Sequence, residues 1–182
     1  MKEVKDMEKE KVVKPKRRKY GEYVGVKVGC KTTTKMLGGT QSGNKPPEYT
    51  HIFRRDEDGD IIITGDMFHA MLRDSSDIVD LGPAEARRIR TQTVKVNLNG
   101  EGITGELKPI AIPGRGGVGQ NFFECVPPGA TFKAEFLVPT MAVSLSKFKK
   151  WVEYAGKWNG VGAYRKGTYG HFKVESFEEF AI

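Results

Sequence analysis

The stretch Thr131–Val174, TFKAEFLVPTMAVSLSKFKKWVEYAGKWNGVGAYRKGTYGHFKV, decides the fold of this chain. Its first eight residues put Phe132, Ala134, Phe136 and Val138 on one side at period two, the signature of a strand with one buried face. The period then changes. From Ser144, a hydroxyl residue suited to capping a helix N-terminus, Leu145, Phe148, Val152 and Ala155 recur at helical spacing. The spacing predicts a helix closed near Gly156, with Lys147, Lys149 and Lys150 turned largely to solvent. A glycine-rich segment follows, and Phe172 and Val174 open a last strand on a shared face.

The same reading extends outward. In YVGVKVGC, residues 23–30, Val24, Val26, Val28 and Cys30 form one apolar face, so a half-buried first strand is expected. Residues 31–49 are dense in Thr, Gly, Asn and Pro and read as a long loop. HIFRRDEDGDIIITGDMFHAML reads as a hairpin, His51–Arg55 against Ile61–Thr64, feeding a helix. That helix has Thr64 as N-cap, Asp66 in its first turn, Met67, Phe68, Met71 and Leu72 as its stripe, and Arg73 at its end. Pro83 starts a second short helix. Residues 94–98 and 103–112 read as strands, GRGGVGQ at 114–120 as irregular, and NFFECV and TFKAEFLV, joined by PPGA, as a hairpin. The order strand, hairpin, helix, strands, helix, strand fits an α+β sandwich. An antiparallel sheet covered by two main helices, with long loop insertions, is the ferredoxin-like arrangement also used by RNA-recognition domains.

Length and composition predict one domain, residues 20–182, behind a basic tail, residues 1–19. Hydrophobic residues make up 38% and charged residues 29% of the 182, and no apolar run approaches the roughly 20 residues that span a bilayer. No secretion signal is legible at the start, so a cytoplasmic protein without a membrane partner is expected. Cys30 and Cys125 lack a CxxC or neighbouring His spacing and read as buried thiols, not as a zinc site or disulfide. The net charge of +7 is unevenly spread: residues 1–19 carry +5, residues 144–173 carry +6 and the remainder −4. Concentrated positive potential of this kind suits a polyanion.

Catalytic patterns are weak. His69 lies beside an apolar helical stripe, His51 has no carboxylate or nucleophile partner in sequence, and a lone His171 in a basic loop is thin support for a nuclease. DEDGD, Asp56–Asp60, lacks the EF-hand's later Gly and Glu and reads as a solvated turn. GRGGVG has no following Lys-Ser/Thr, so no nucleotide loop is supported. No cofactor and no metal are expected, and a binding protein is expected in preference to an enzyme. The positive signal is GKWNGVGAYRKGTYGHFK, residues 156–173. There Trp158, Tyr164 and Tyr169 alternate with Lys157, Arg165, Lys166 and Lys173, while Gly160, Gly162, Gly167 and Gly170 admit close backbone approach. Cations neutralise phosphates and rings stack on bases, a combination suited to single-stranded nucleic acid.

Four features in order resemble the repeat-associated mysterious protein (RAMP) superfamily, which includes backbone subunits of CRISPR effector complexes. They are the first strand with its long loop, HIFRRDEDGDIIITGDMFHAMLR, FECVPPGATFKAEFLV and GVGAYRKGTYGHFKV; together they span about residues 20 to 175. The resemblance implies a modified ferredoxin-like fold that binds guide RNA along the glycine-rich loop and the first helix. Copies of it stack on one another and on other effector subunits in an antiviral ribonucleoprotein filament. It points to Gly160, Gly162, Arg165, Lys166, Gly167 and Gly170, and to Arg73 and the 65–69 turn with His69. With Lys31, Lys35, Lys157, Tyr164, Tyr169 and His171 these make the candidate nucleic-acid contacts. Subunits that cut target RNA carry an aspartate after strand 1, whereas residues 31–47 here hold no Asp or Glu. The implied role is a non-catalytic RNA-binding subunit. Two alternatives stand beside it: a guide-processing endoribonuclease using His171 or His51, and a single-stranded DNA-binding or filament scaffold protein of a mobile element or virus.

Overall fold

Two β-sheets share the chain, and each is built from a different kind of sequence. The computed structural model describes residues 23–111, 118–165, 168–180 and 182; the tail at 1–19, GRGG at 114–117, Lys166 and Gly167 lie outside the described residues. In chain order the strands are β1 (Tyr23–Thr32), β2 (Met36–Leu37), β3 (Thr40–Gln41), β4 (His51–Ile52), β5 (Ile62–Ile63), β6 (Arg90–Thr91), β7 (Val94–Asn97), β8 (Thr104–Ala111), β9 (Val118–Val126), β10 (Thr131–Pro139) and β11 (Phe172–Phe180). Helix α1 (Gly65–Arg73), a 3₁₀ turn (Ser76–Val79) and α2 (Pro83–Arg88) lie between β5 and β6, and α3 (Leu145–Trp158) lies between β10 and β11.

The first sheet runs β11–β1–β10–β7–β5, with β6 also on β10, and its pairings are antiparallel. Its apolar face meets the two long helices. Val26, Val28 and Cys30 of β1 and Phe132, Ala134, Phe136 and Val138 of β10 are all buried, as are Phe68, Met71 and Leu72 of α1 and Phe148, Trp151, Val152 and Ala155 of α3. Edge-to-face rings knit the layers: Phe68 on Phe136 at 5.5 Å and Phe136 on Phe148 at 5.2 Å. The Trp151 indole N–H donates to Leu72 O at 3.0 Å and reaches Ser75 Oγ at 3.1 Å, so a fully buried polar tip is satisfied while it locks α3 to the end of α1. Ser144 caps α3 by accepting from the Lys147 N–H at 3.3 Å.

The second sheet runs β2–β9–β4–β3, with β8 along β9, and contains one parallel pairing, β4 with β9. It corrects several expectations. PPGA does not join a hairpin: β9 pairs with β8 and β10 with β1, so the turn carries the chain from one sheet to the other. Gly129 at φ +99° and its N–H bond to Thr32 O at 2.9 Å fasten that crossing to β1. The expected 51–64 hairpin shrinks to one bridge, Arg55 with Ile61, because His51–Ile52 is drawn to β3 and β9 and Ile62–Ile63 to β7. The expected loop at 31–49 holds β2 and β3, and β9 begins at Val118, inside the segment read as irregular. Thr64 takes the N-cap position of α1 without a side-chain bond. Helix α3 runs through Gly156, where a side chain would meet the Phe172 ring at 2.5 Å, and ends at Trp158.

Polar side chains tie the second sheet to the segment that leads from it toward the first. Glu124 of β9, 7% exposed, accepts from both terminal guanidinium nitrogens of Arg55, at 2.8 and 3.0 Å, and from the Phe53 N–H at 2.8 Å. A buried carboxylate is tolerable only when paired and hydrogen-bonded in this way. Cys30 and Cys125 are free and buried, and burial pushes both thiols up in pKa. Among the described residues no helix is long and apolar enough to cross a membrane.

Candidate nucleic-acid interface

The glycine-rich segment after α3 is held by the chain's own backbone. Gly160, at φ +63°, ends α3 by donating its N–H to Ala155 O at 2.8 Å. Gly170, at φ +70°, accepts from the Val161 N–H at 2.9 Å and donates to Lys35 O at 2.7 Å, and any Cβ there would overlap Val161 O. Gly162 packs on Leu37, to which Ala163 is bridged through an N–H bond of 3.0 Å. What approaches Gly160 and Gly170 is therefore the loop's own backbone, at Gly170–His171 and Val161, and what approaches Gly162 is Met36–Leu37. His171 completes the seam: its N–H donates to Thr34 Oγ1 at 3.0 Å and its carbonyl accepts from the Thr33 N–H at 2.8 Å.

The side chains divide by direction. Tyr169, 8% exposed, joins Leu37, Phe123 and Cys125 in a second small core, and its hydroxyl donates to Glu106 Oε1 at 3.0 Å. Lys35 binds the other oxygen of Glu106 at 2.9 Å, and Lys108 lies 4.4 Å from the Tyr169 ring centre. The Lys35 ammonium first, with Tyr169 and Lys108, holds the Glu106 carboxyl below the usual carboxylate range. Tyr164 points the other way, 51% exposed, with one edge against buried Phe123 at 5.5 Å.

Arginines from two elements meet on one carboxylate. Arg165 Nη2 lies 2.6 Å from Asp74 Oδ2 and Arg73 Nε lies 3.4 Å from Asp74 Oδ1, so the last residue of α1 and the loop share a single negative charge. The Arg73 side chain stays 52% exposed and Arg165 24%. Lys157 projects from the last turn of α3, 4.9 Å from the Trp158 ring centre. Lys31 and Lys173 stand directly opposite each other on β1 and β11, next to the loop's exit. Of the candidate contacts, Arg73 and Arg165 thus meet on Asp74, Lys35 and His171 join the loop's backbone seam, and Lys31 and Lys157 lie in the strand and the helix that flank it. His69 is engaged elsewhere, its Nε2 2.6 Å from Ile89 O.

Among the described residues the arrangement offers phosphates exposed cations and offers a base an aromatic face, but aligns no acid–base pair. His171 Nε2 faces Arg165 O at 3.3 Å, whereas His51 stacks on Phe123 at 4.4 Å and burial lowers its pKa. Asp56, Asp58 and Asp60 converge closely enough for a hard cation, yet the Lys95 ammonium already sits 2.8–3.0 Å from all three. Sequence reasoning missed Asp74, Glu106 and Phe123, which orient Arg165, Tyr169 and Tyr164. They are 91, 63 and 41 positions from their partners, and no local pattern announces such pairs.

No protein-family model and no curated protein sequence matches the chain. Its fold is similar to that of a chain in the Type III-B Cmr-beta bound to cognate target RNA, solved by cryo-EM, with a TM-score of 0.68 and 14% sequence identity. The similarity covers 87% of this chain and 61% of that one, so this chain spans about three fifths of the length of its structural neighbour. At that identity the likeness is one of fold: a mixed α+β architecture of mostly antiparallel sheets with few helices.

Proposed function

We propose that this chain is a non-catalytic RNA-binding subunit of a CRISPR effector complex, a RAMP-type protein that lies along the guide RNA beside other subunits and other copies of itself. The observation that carries this reading is the 160–171 loop. Gly160, Gly162 and Gly170 are spent on the chain's own backbone, while Tyr164 and Arg73 stand exposed and the partly exposed Arg165 is ion-paired to Asp74 where the loop meets α1. Fixed cations flanking a half-exposed ring suit a single strand's phosphates and bases.

Two further observations support it. In the first sheet the four longest strands follow the spatial order last, first, third, second (β11, β1, β10, β7), which supports the ferredoxin-like reading. The structural neighbour, moreover, belongs to a complex bound to RNA. A role without RNA cleavage fits the lack of any carboxylate in residues 31–47 and the engagement of His51 and His171 with a ring and a carbonyl.

The test is purification of the full chain from its host, with sequencing of the RNA and identification of the proteins that come with it. The expected result is one class of small RNA sharing a repeated segment, together with further subunits. RNA of random sequence, or none, contradicts the reading.

A further inference from the structure

Tyr164 has a backbone that its residue type disfavours. At φ +52° it lies in the left-handed region, where a Cβ crowds the following carbonyl. Of the described residues, the other non-glycines at positive φ are Asp80 and Asn99, types that enter this region readily. A bulky aromatic there is an outlier that persists only when its surroundings over-determine it. The neighbouring positive-φ sites in the loop, 160, 162 and 170, are all glycine.

Burial does not account for the tyrosine, because half of its surface faces solvent. Its mount is rigid. Ala163 is hydrogen-bonded to Leu37 at 3.0 Å, Arg165 is ion-paired to Asp74 at 2.6 Å, and the ring edge rests on Phe123, itself 1% exposed. Of the other two aromatics of the segment, Tyr169 is buried on Glu106, whereas Trp158, 52% exposed, sits at the end of α3 on an ordinary helical backbone with Lys157 and Tyr154 beside it.

We infer that Tyr164 is a stacking platform for one base of a single strand, held ready by its left-handed backbone between Arg165, anchored on Asp74, and the pinned Ala163. The inference rests on the nucleic-acid reading above. A ring fixed before binding loses little freedom when a base settles on it, which favours affinity. Glycine at 164 would relax the backbone and remove the ring, so the residue present favours contact over ease of folding.

The experiment uses the full chain and an oligouridine carrying one 2-aminopurine, whose fluorescence is quenched by stacking. Wild type and Tyr164→Phe should quench it. Tyr164→Gly should lose the quench and bind about 5- to 100-fold more weakly. The slope of log affinity against log salt should stay the same in Tyr164→Gly, since no phosphate contact is lost, whereas Arg165→Gln should reduce that slope by about 0.7. Thermal melting separates strain from fold damage: Tyr164→Gly should melt above Tyr164→Ala, which keeps a Cβ in the disfavoured region. Wild-type binding with undiminished quench and affinity in Tyr164→Gly would overturn the platform alone. Failure of wild type to bind any oligonucleotide would overturn the nucleic-acid reading with it.

Discussion

The first sheet and the second are held together in different ways. In the first, long strands and amphipathic helices bury one continuous apolar face, and Trp151, Phe136 and Phe148 make it a single cooperative core. In the second, strands as short as Met36–Leu37, Thr40–Gln41 and His51–Ile52 are gathered by backbone bonds, by Glu124 with Arg55, and by the glycine loop with Tyr169 and Glu106. The first region sets stability. The second positions the loop's exposed face, so damage there should separate binding from folding.

Substitutions can break this contrast at either end. Trp151→Ala removes a fully buried indole and its two hydrogen-bonded contacts, and should cost about 3–5 kcal/mol in urea unfolding, the largest effect expected. Gly170→Ala should cost about 2–3 kcal/mol, because a Cβ meets Val161 O at a left-handed backbone, and should weaken the proposed RNA binding more than Trp151→Phe does. Glu124→Gln should cost about 1–2 kcal/mol: the Phe53 N–H keeps an acceptor, while Arg55 loses its counter-charge but is 35% exposed and so is partly solvated.

The smallest effect is a pH dependence. Lys35 and Tyr169 depress the folded pKa of Glu106, so its stabilisation is present above the ordinary glutamate pKa and is lost as pH falls through the folded value. Hydrogen exchange at residues 168–171, taken relative to the intrinsic amide rate at each pH, should therefore quicken on acidification below about pH 4, where an unperturbed glutamate is mostly protonated. Glu106→Gln should quicken it already at neutral pH and flatten the acid response. Unaltered exchange in both conditions would show that the loop is held without Glu106.

The same contrast decides what the sequence disclosed. Phe132, Ala134, Phe136 and Val138 at period two, Ser144 as a cap and the Phe148–Ala155 stripe are local signals, and the elements they predict stand where expected. PPGA was legible as a turn, but turn chemistry does not say which sheets its arms enter. That choice is made by β1 and β8, about 100 and 20 residues earlier. Gly156 carried a helix-stop signal and lies inside the helix because Phe172 fills the space a side chain would need. The basic, aromatic and glycine content of residues 156–173 marked the candidate interface. It could not show that Tyr169 turns inward and Tyr164 outward, since that division depends on Glu106 and Phe123 from the other sheet.

The central claim is the proposal that the loop's cations hold a single strand. Its most direct test is the affinity of the full chain for a single-stranded RNA across a salt series, with wild type beside an Arg165→Glu, Lys166→Glu double variant whose melting is checked in parallel. The account predicts affinity that falls linearly in log–log form for wild type, at about 0.7 per phosphate contacted, and collapses in the double variant while the fold persists. Equal affinity and equal slope in the two proteins would contradict it.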